Sequence, residues 1–368
     1  MVTRWSEEDL RFMRRALKLA SRGYPAPNPL VGAVLVQNGE VVAEGYHRRV
    51  GTAHAEAIAL EKAGAKARGA TLYVTLEPCC HHGRTPPCTE AIVAAGVSRV
   101  VAAVKDPNPL VRGGGVRRLR RAGLRVEVGL LEDEARAQNR MHFHFHKTGR
   151  PWVTVKAAMS LDGKIATVTG ESKWITDDDA RRMAHRLRAE HAAVLVGART
   201  AKLDRPNLTV RIPGVRAKPL RVLLDYHLRG PEASTLYDGE AETVVFFAKA
   251  SVVTRKRLQS LPVRLEQVRG SEGRLDPREV LGRLASWGIT SVLVEGGGEV
   301  IASFLEARVV DRVCFFYAPL IIGGAQAKTA VEGTGVETIA RAVRLRNASM
   351  VRAGSGWMLD GEPDYPME

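Results

Sequence analysis

Apolar residues recur at helical spacing from the first turns of the chain. Phe12, Met13, Ala16, Leu17 and Ala20 follow the run Ser6-Glu7-Glu8-Asp9, where a hydroxyl stands three positions before a carboxylate in the manner of a capping box. The pattern predicts an opening helix. A proline-rich turn, YPAPNPLVG (24–32), then leads to two short apolar runs, AVLVQ (33–37) and VVAEG (41–45), separated by Asn-Gly-Glu, which predicts a hairpin. HAEAIALEKAG (54–64) reads as a helix, TLYVTLE (71–77) as a strand and TEAIVAAG (89–96) as a short helix. RVVAAVKD (99–106), VRRLRRAG (116–123) and LRVEVG (124–129) continue as strand, helix and strand. Strands alternating with helices predict an α/β sheet covered on both faces.

The pattern breaks at HKTGRPW (146–152), where polar and turn-forming residues precede a fresh strand, so a domain boundary is expected near Gly149. Beyond it, WVTVKAAMS (152–160) reads as a strand, and Thr-Asp-Asp-Asp at 176–179 caps a helix. The strand AAVLVG (192–197) and a long polar loop, ARTAKLDRPNLTVR (198–211), come next. LRVLLD (220–225), TVVFFAK (243–249) and VRLEQV (263–268) are strand-like. A helix over 277–287, the strand SVLVEGGG (291–298), another helix and VCFFYAPLIIGG (313–324) complete a second α/β domain.

A chain of 368 residues with 45% hydrophobic and 26% charged residues is long enough for about two domains with separate cores and carries no sign of disorder. No run approaches the roughly 18 apolar residues of a membrane helix, and MVTRWSEEDL lacks the apolar centre of a signal peptide. A cytoplasmic protein is expected. The net charge of +15 suits nucleic acid or anionic small molecules equally, because Lys and Arg are scattered rather than gathered in one run.

Composition is ordinary except at TLEPCCHHGRTPPC (75–88), which holds three of the four cysteines and two of the ten histidines. Four cysteines are too few for a disulfide framework, and in a reducing compartment such a cluster points to metal binding or catalysis. A catalytic zinc takes three protein donors and keeps a fourth position open. His-Ala-Glu at 54–56 offers an imidazole at the start of a helix with a carboxylate two residues on, and Cys88 would gain from the positive end of the helix that follows it. In zinc deaminases, metal-activated water attacks a ring carbon while a glutamate that is not a ligand moves the proton, and their signature is H-x-E followed by P-C-x-x-C. His-Ala-Glu and Pro78-Cys79 match; the next cysteine does not, since His82 stands three residues on.

With these two segments the chain resembles the deaminase half of the bifunctional riboflavin-biosynthesis proteins, a cytidine-deaminase-like three-layer α/β/α domain. The resemblance implies zinc ligands His54, Cys79 and Cys88, Glu56 as proton carrier, and Asn28 of PNPLVGAV as a substrate contact, with Asp106 and Asn108 as weaker candidates. Cys80 stands where the family usually has serine and is an alternative sulfur ligand; His81 and His82 are expected to donate or to touch substrate rather than to close the metal site.

VKAAMSLDGKIA, GESKWIT, LDRPNLTVR and LVEGGGEV are similar to the reductase half of the same family, a dihydrofolate-reductase-like α/β domain that uses NADPH. The resemblance thus covers nearly the whole chain and implies a deaminase domain over 1–147 and a reductase domain over 150–364. It implies cofactor contacts from Ala158, Trp174, Thr200, Asp204, Gly296, Gly297 and Gly298, and substrate contacts from Ser172, Arg188, Leu208, Arg211 and Glu295. Arg188 and Arg211 suit phosphate because guanidinium is planar, permanently charged and bidentate, and Lys156 could polarise the group that accepts hydride. Arg205 replaces the acidic or amide residue usual between Asp204 and Pro206. Cys314, within RVCFFY, is expected to be plain core.

The implied activity is hydrolytic removal of the 2-amino group of 2,5-diamino-6-ribosylamino-4(3H)-pyrimidinone 5′-phosphate, then reduction of ribosyl to ribityl by NADPH. The implied enzyme is a homo-oligomer acting on a phosphorylated pyrimidine, with no nucleic acid or membrane partner. Two rivals stay open: a nucleic-acid deaminase of the tRNA type, and a basic RNA-binding protein with a closed structural zinc.

Overall fold

The computed structural model describes residues 5–82, 86–230 and 235–366, so Gly83, Arg84 and Thr85 of the cysteine cluster lie outside the described residues. The chain divides into two compact units, Met1–Gly149 and Arg150–Glu368. The first opens with α1 (Glu7–Ala20), whose capping box forms as the sequence predicts: the Ser6 hydroxyl accepts the Asp9 N–H while the Asp9 carboxylate accepts the Ser6 N–H. β1 (Gly32–Gln37) and β2 (Glu40–Tyr46) make the hairpin, turning through Asn38 and Gly39 at φ 53° and 78°, the left-handed backbone that a tight two-residue turn demands.

After them come α2 (Ala55–Ala63), β3 (Thr71–Val74), α3 (Cys88–Ala94), β4 (Arg99–Ala102), α4 (Gly114–Arg121), β5 (Arg125–Val128), α5 (Glu132–Gln138) and α6 (Arg140–Thr148). The sheet runs β2-β1-β3-β4-β5, with β1 antiparallel to both neighbours and β3, β4 and β5 parallel. Successive side chains of β1 enter different cores. Val34 and Val36 pack with Phe12, Met13 and Leu19 of α1, whereas Ala33 and Leu35 pack with Ala59, Leu60, Ile92 and Leu119 from α2, α3 and α4. Three layers result.

In the second unit β6 (Trp152–Ser160) is followed by α7 (Asp178–Glu190), β7 (Ala193–Gly197), α8 (Ala198–Asp204), β8 (Leu220–Leu224), β9 (Thr243–Phe247), α9 (Val252–Gln259) and β10 (Arg264–Gln267). A short ribbon of β11 (Gly270–Ser271) and β12 (Arg274–Leu275) precedes α10 (Pro277–Ser286), β13 (Ser291–Val294), α11 (Gly298–Glu306), β14 (Arg312–Ala318) and a hairpin of β15 (Arg344–Ala353) and β16 (Gly356–Asp364). The nine-stranded sheet has the order β10-β9-β8-β7-β13-β6-β14-β16-β15; the pairs from β10 to β14 are parallel, and the last two are antiparallel. Its central strands are apolar on both faces because both are covered. Val292 and Val294 join the core of α10 and α11, while Leu293 joins that of α7 and α9. Cys314 is fully buried in the latter core.

Several elements differ from the sequence expectation. Residues 146–148, expected as a break, finish α6, which stops at Gly149 with φ 70°. The alternation His142-Phe143-His144-Phe145-His146 hides the helical period, and tertiary hydrogen bonds decide the outcome. The polar stretch 198–211 begins as α8, where only Ala201 is buried and no apolar stripe exists to be read. β15 is exposed along almost its whole length, so it has no alternation at all.

Arg221 on β8 is fully buried and bonds Thr243 Oγ1 (2.9 Å), the carbonyls of Thr235, Leu236 and Ala241, and Asp238 Oδ1 (2.9 Å). Its guanidinium is the framework of the 235–243 turn. Arg221→Leu strips these acceptors of their donor and should destabilise the second unit by on the order of 3–5 kcal/mol, measured by denaturant unfolding; a loss under about 1 kcal/mol would contradict this role.

Candidate active sites

Two helix N-termini meet in the first unit. His54 is the N-cap of α2, and its ring makes no capping bond. Cys88 is the first residue of α3, so it lies inside the helix rather than just ahead of it. Cys79 follows β3 in the segment that leaves the sheet. Its sulfur accepts the Cys88 backbone N–H at 3.3 Å and lies 3.6 Å from His54 Nδ1, which is 3.2 Å from Cys88 Sγ. The three donor atoms lie within 4.8 Å of one another, the sole such group among the described residues. Tetrahedral zinc, with bonds of about 2.0 Å to nitrogen and 2.3 Å to sulfur, holds N and S about 3.5 Å apart. The donor set fits.

The charges agree with that fit. The hydrogen bond between the two sulfurs draws the Cys79 thiol down and, together with burial, pushes the Cys88 thiol up. A dication would favour the ionised form of both sulfurs. Glu56, in the first turn of α2 two residues after His54, is buried, and burial and the Cys79 charge raise its carboxyl above the usual range.

A cavity of about 360 Å³ opens here, with His54, Glu56 and Cys79 on its wall together with Asn28, Asp106 and Asn108. Asn28 Nδ2 is 3.1 Å from His47 Nε2, and His47 Nδ1 is 3.2 Å from the Ala53 carbonyl, so a neutral ring that donates to Ala53 accepts from Asn28. Burial holds His47 below its ordinary value, consistent with that state. Cys80 is not among the grouped donors: its sulfur lies 3.9 Å from the carbonyls of Leu110 and Val111. The sulfur expected as an alternative ligand thus stands apart from the three grouped donors. His81 lines the cavity, while His82 is exposed and lies 3.4 Å from Glu90.

The sequence reading missed Glu77. Its buried carboxylate accepts N–H bonds from Asp106 (3.3 Å), Gly113 (2.9 Å) and Val116 (2.9 Å), capping α4 from a distance and fixing the 105–113 loop at the cavity. Gly115 serves the same closure, because a Cβ there would stand 2.0 Å from the Pro78 carbonyl oxygen.

In the second unit two cavities, of about 420 and 650 Å³, share Ser172, Thr200, Asp204 and Gly297. The first also contains Lys156, Ala158, Trp174, Arg188, Leu208, Arg211, Glu295 and Gly296; the second adds Gly298. Every reductase residue singled out from the sequence thus lines one or both. α11 starts between them, with Gly297 as N-cap and no capping side chain. Its glycines are needed for closeness: a Cβ on Gly296 would meet Val300 at 2.7 Å, and one on Gly298 the Thr329 carbonyl oxygen at 2.4 Å. Long connected space around an uncapped helix N-terminus fits an extended dinucleotide whose phosphates face backbone N–H groups.

Glu295 is the electrostatic centre of the smaller cavity. Arg188 grips it with two bonds (2.6 and 2.9 Å), and Lys156 Nζ is 3.6 Å away. Burial opposes its charge, yet Arg188 and Lys156 hold it near 2. Lys156 is half-buried within β6, not a strand-end surface lysine, and the Arg188 guanidinium is largely engaged by Glu295 and the Thr209 carbonyl. Arg211 is exposed with no ion-pair partner for its guanidinium among the described residues, and its backbone N–H donates to His185 Nδ1 (3.3 Å). His185, hidden in the sequence among the arginines of α7, is pushed down to about 4 by burial and by Arg188 and Arg211. Ser172 donates to Asp204 Oδ1 (2.9 Å), and Thr200 Oγ1 accepts the Gly297 N–H (3.1 Å). The Leu208 side chain is buried in the core, from a backbone at φ 54°. Trp174 is 68% exposed, with the Arg181 guanidinium 4.5 Å from its ring centre.

Residues 6–104 match the model of the cytidine and deoxycytidylate deaminase zinc-binding region, and residues 151–359 that of the RibD C-terminal domain. The riboflavin biosynthesis protein RibD of Bacillus amyloliquefaciens is 46% identical over 96% of this chain and 95% of its own length; that of Escherichia coli is 40% identical over 92% and 95%. The solved structure of Acinetobacter baumannii RibD superposes with a TM-score of 0.87 at 36% identity, covering 97% of this chain and 99% of that one. A Thermotoga maritima structure described as a diaminohydroxyphosphoribosylaminopyrimidine deaminase/5-amino-6-(5-phosphoribosylamino)uracil reductase gives 0.80 at 36% identity over the same shares. The chain belongs to the RibD family of riboflavin-biosynthesis proteins, with a zinc-binding deaminase unit followed by a reductase unit.

Proposed function

We propose that the first unit removes the 2-amino group of 2,5-diamino-6-ribosylamino-4(3H)-pyrimidinone 5′-phosphate as ammonia and that the second reduces the ribosyl group of the product to ribityl. The grouping of His54, Cys79 and Cys88 beside buried Glu56 carries this reading. Zinc, when bound by those three, supplies the acid that activates water for attack on C2. The chain does the rest. Glu56 takes the proton of that water and delivers it to the departing nitrogen, a transfer that its raised carboxyl suits. Asn28, held by His47, orients the ring or its ribose.

In the second unit the two cavities would hold NADPH, which when bound would supply the hydride for sugar C1 in its open form. Gly296, Gly297 and Gly298 with the α11 N-terminus would receive the cofactor's phosphates, and Ala158, Trp174, Thr200 and Asp204 would line its path. Lys156, kept charged and oriented by Glu295, places a proton donor beside the carbon that is reduced. Arg188 holds Glu295 in place, and Ser172 and Leu208 close the substrate wall. Arg211, with no competing carboxylate, takes the 5′-phosphate. The free thiols suit a reducing compartment such as the cytoplasm. No helix among the described residues is long and apolar enough to cross a membrane.

Glu56→Ala should keep zinc at wild-type stoichiometry while ammonia release falls by about 10²–10⁴-fold, assayed on the diaminopyrimidine phosphate. Retention of full activity would point to a structural metal and sink the deaminase assignment. Arg211→Ala should raise KM for the phosphorylated substrate of the reductase about 10- to 100-fold, the worth of one charged hydrogen-bonding partner, and leave a dephosphorylated analogue unaffected. Equal losses on both substrates would remove Arg211 from phosphate binding.

A further inference from the structure

α6 braces two loops of the deaminase cavity at successive turns. Asn139, at its N-cap, receives the Leu30 N–H (2.8 Å) and donates to the Leu30 carbonyl (2.9 Å), fixing the segment that carries Asn28. One turn on, His142 Nε2 lies 2.9 Å from Asp106 Oδ1, and both residues are buried against the cavity they line. The His146 ring stands edge-on to that of His142, 4.5 Å between centres, and limits its rotation.

Asp106 is held from several sides. Its Oδ1 also accepts the Asn108 N–H (2.9 Å), and its own N–H goes to Glu77. Among the described residues no protein donor is bonded to Oδ2. A buried carboxylate on a cavity wall, with one oxygen committed and one open, is an acceptor for a ligand N–H or O–H.

We propose that His142 is a positioning residue for deamination: by fixing Asp106 it aims the open oxygen at a donor group of the substrate, an amine of the pyrimidine or a ribose hydroxyl. The inference rests on the deaminase reading of the cavity. Nothing else bonded to the Asp106 carboxylate sets its angle except a local backbone N–H, so loss of the imidazole frees it to turn. The structure around it stays tied by Asn139 and Glu77.

The test is steady-state ammonia release by the whole enzyme, with zinc per chain and NADPH-dependent reduction of the deaminated pyrimidine measured on the same preparations. His142→Leu should lower deaminase kcat/KM about 10- to 100-fold, chiefly through KM, with zinc content and reduction unchanged. His142→Gln, whose amide nitrogen can reach Oδ1, should recover most of the loss, whereas His142→Asn, one methylene shorter, should not. Combining His142→Leu with Asp106→Ala should be no worse than Asp106→Ala alone. Activity of His142→Leu within about twofold of wild type, or additive losses in the double variant, overturns the proposal. If His142→Leu does not fold, equal activity of the Gln and Asn variants overturns it and the predicted difference supports it. A wild-type enzyme that releases no ammonia would instead indict the deaminase reading itself.

Discussion

Two sulfurs and an imidazole crowded into a few ångströms cannot all take their metal-binding form by themselves. In this chain the crowding is enforced by the backbone: two helices begin at the same place, one supplying His54 and the other Cys88, and Cys79 accepts the amide of Cys88. Each helix N-terminus favours negative charge nearby. Even so, the hydrogen bond between the two sulfurs favours a thiolate on Cys79 and disfavours one on Cys88, because the second charge would face the first at close range. A dication would resolve the conflict, and Glu56 stands beside the group, two residues after His54 in the first turn of α2.

The reductase unit meets a similar problem with protein groups alone. Glu295 ends a buried strand, where a lone carboxylate would be costly, and Arg188 and Lys156 repay that cost. The by-product is a half-buried lysine with a defined orientation. In both units the sheet delivers chemistry to the ends of its strands, and glycines at Gly115, Gly296 and Gly298 let the next backbone segment close against it.

The fold was legible wherever burial leaves a period. The capping box at Ser6, the Asn38-Gly39 hairpin and the apolar parallel strands could all be read directly. α6, α8 and β15 could not, since their residues are selected for contacts or exposure rather than for a buried stripe. The three grouped metal donors were named from motif resemblance, and the structure brings them together. Glu77, His142 and His185 escaped because each acts through another residue, and a supporting contact 29 or 36 positions away in sequence leaves no local mark. Arg188 shows the converse: its chemistry suits phosphate, yet its immediate partner is a carboxylate that only the fold reveals.

Zinc-edge X-ray absorption on the purified full chain tests the central constraint most directly. One zinc per chain, bonded to two sulfurs at about 2.3 Å and to one imidazole nitrogen and one exchangeable oxygen at about 2.0 Å, is the predicted result. A third sulfur in the shell, or four protein ligands with no exchangeable position, would contradict it.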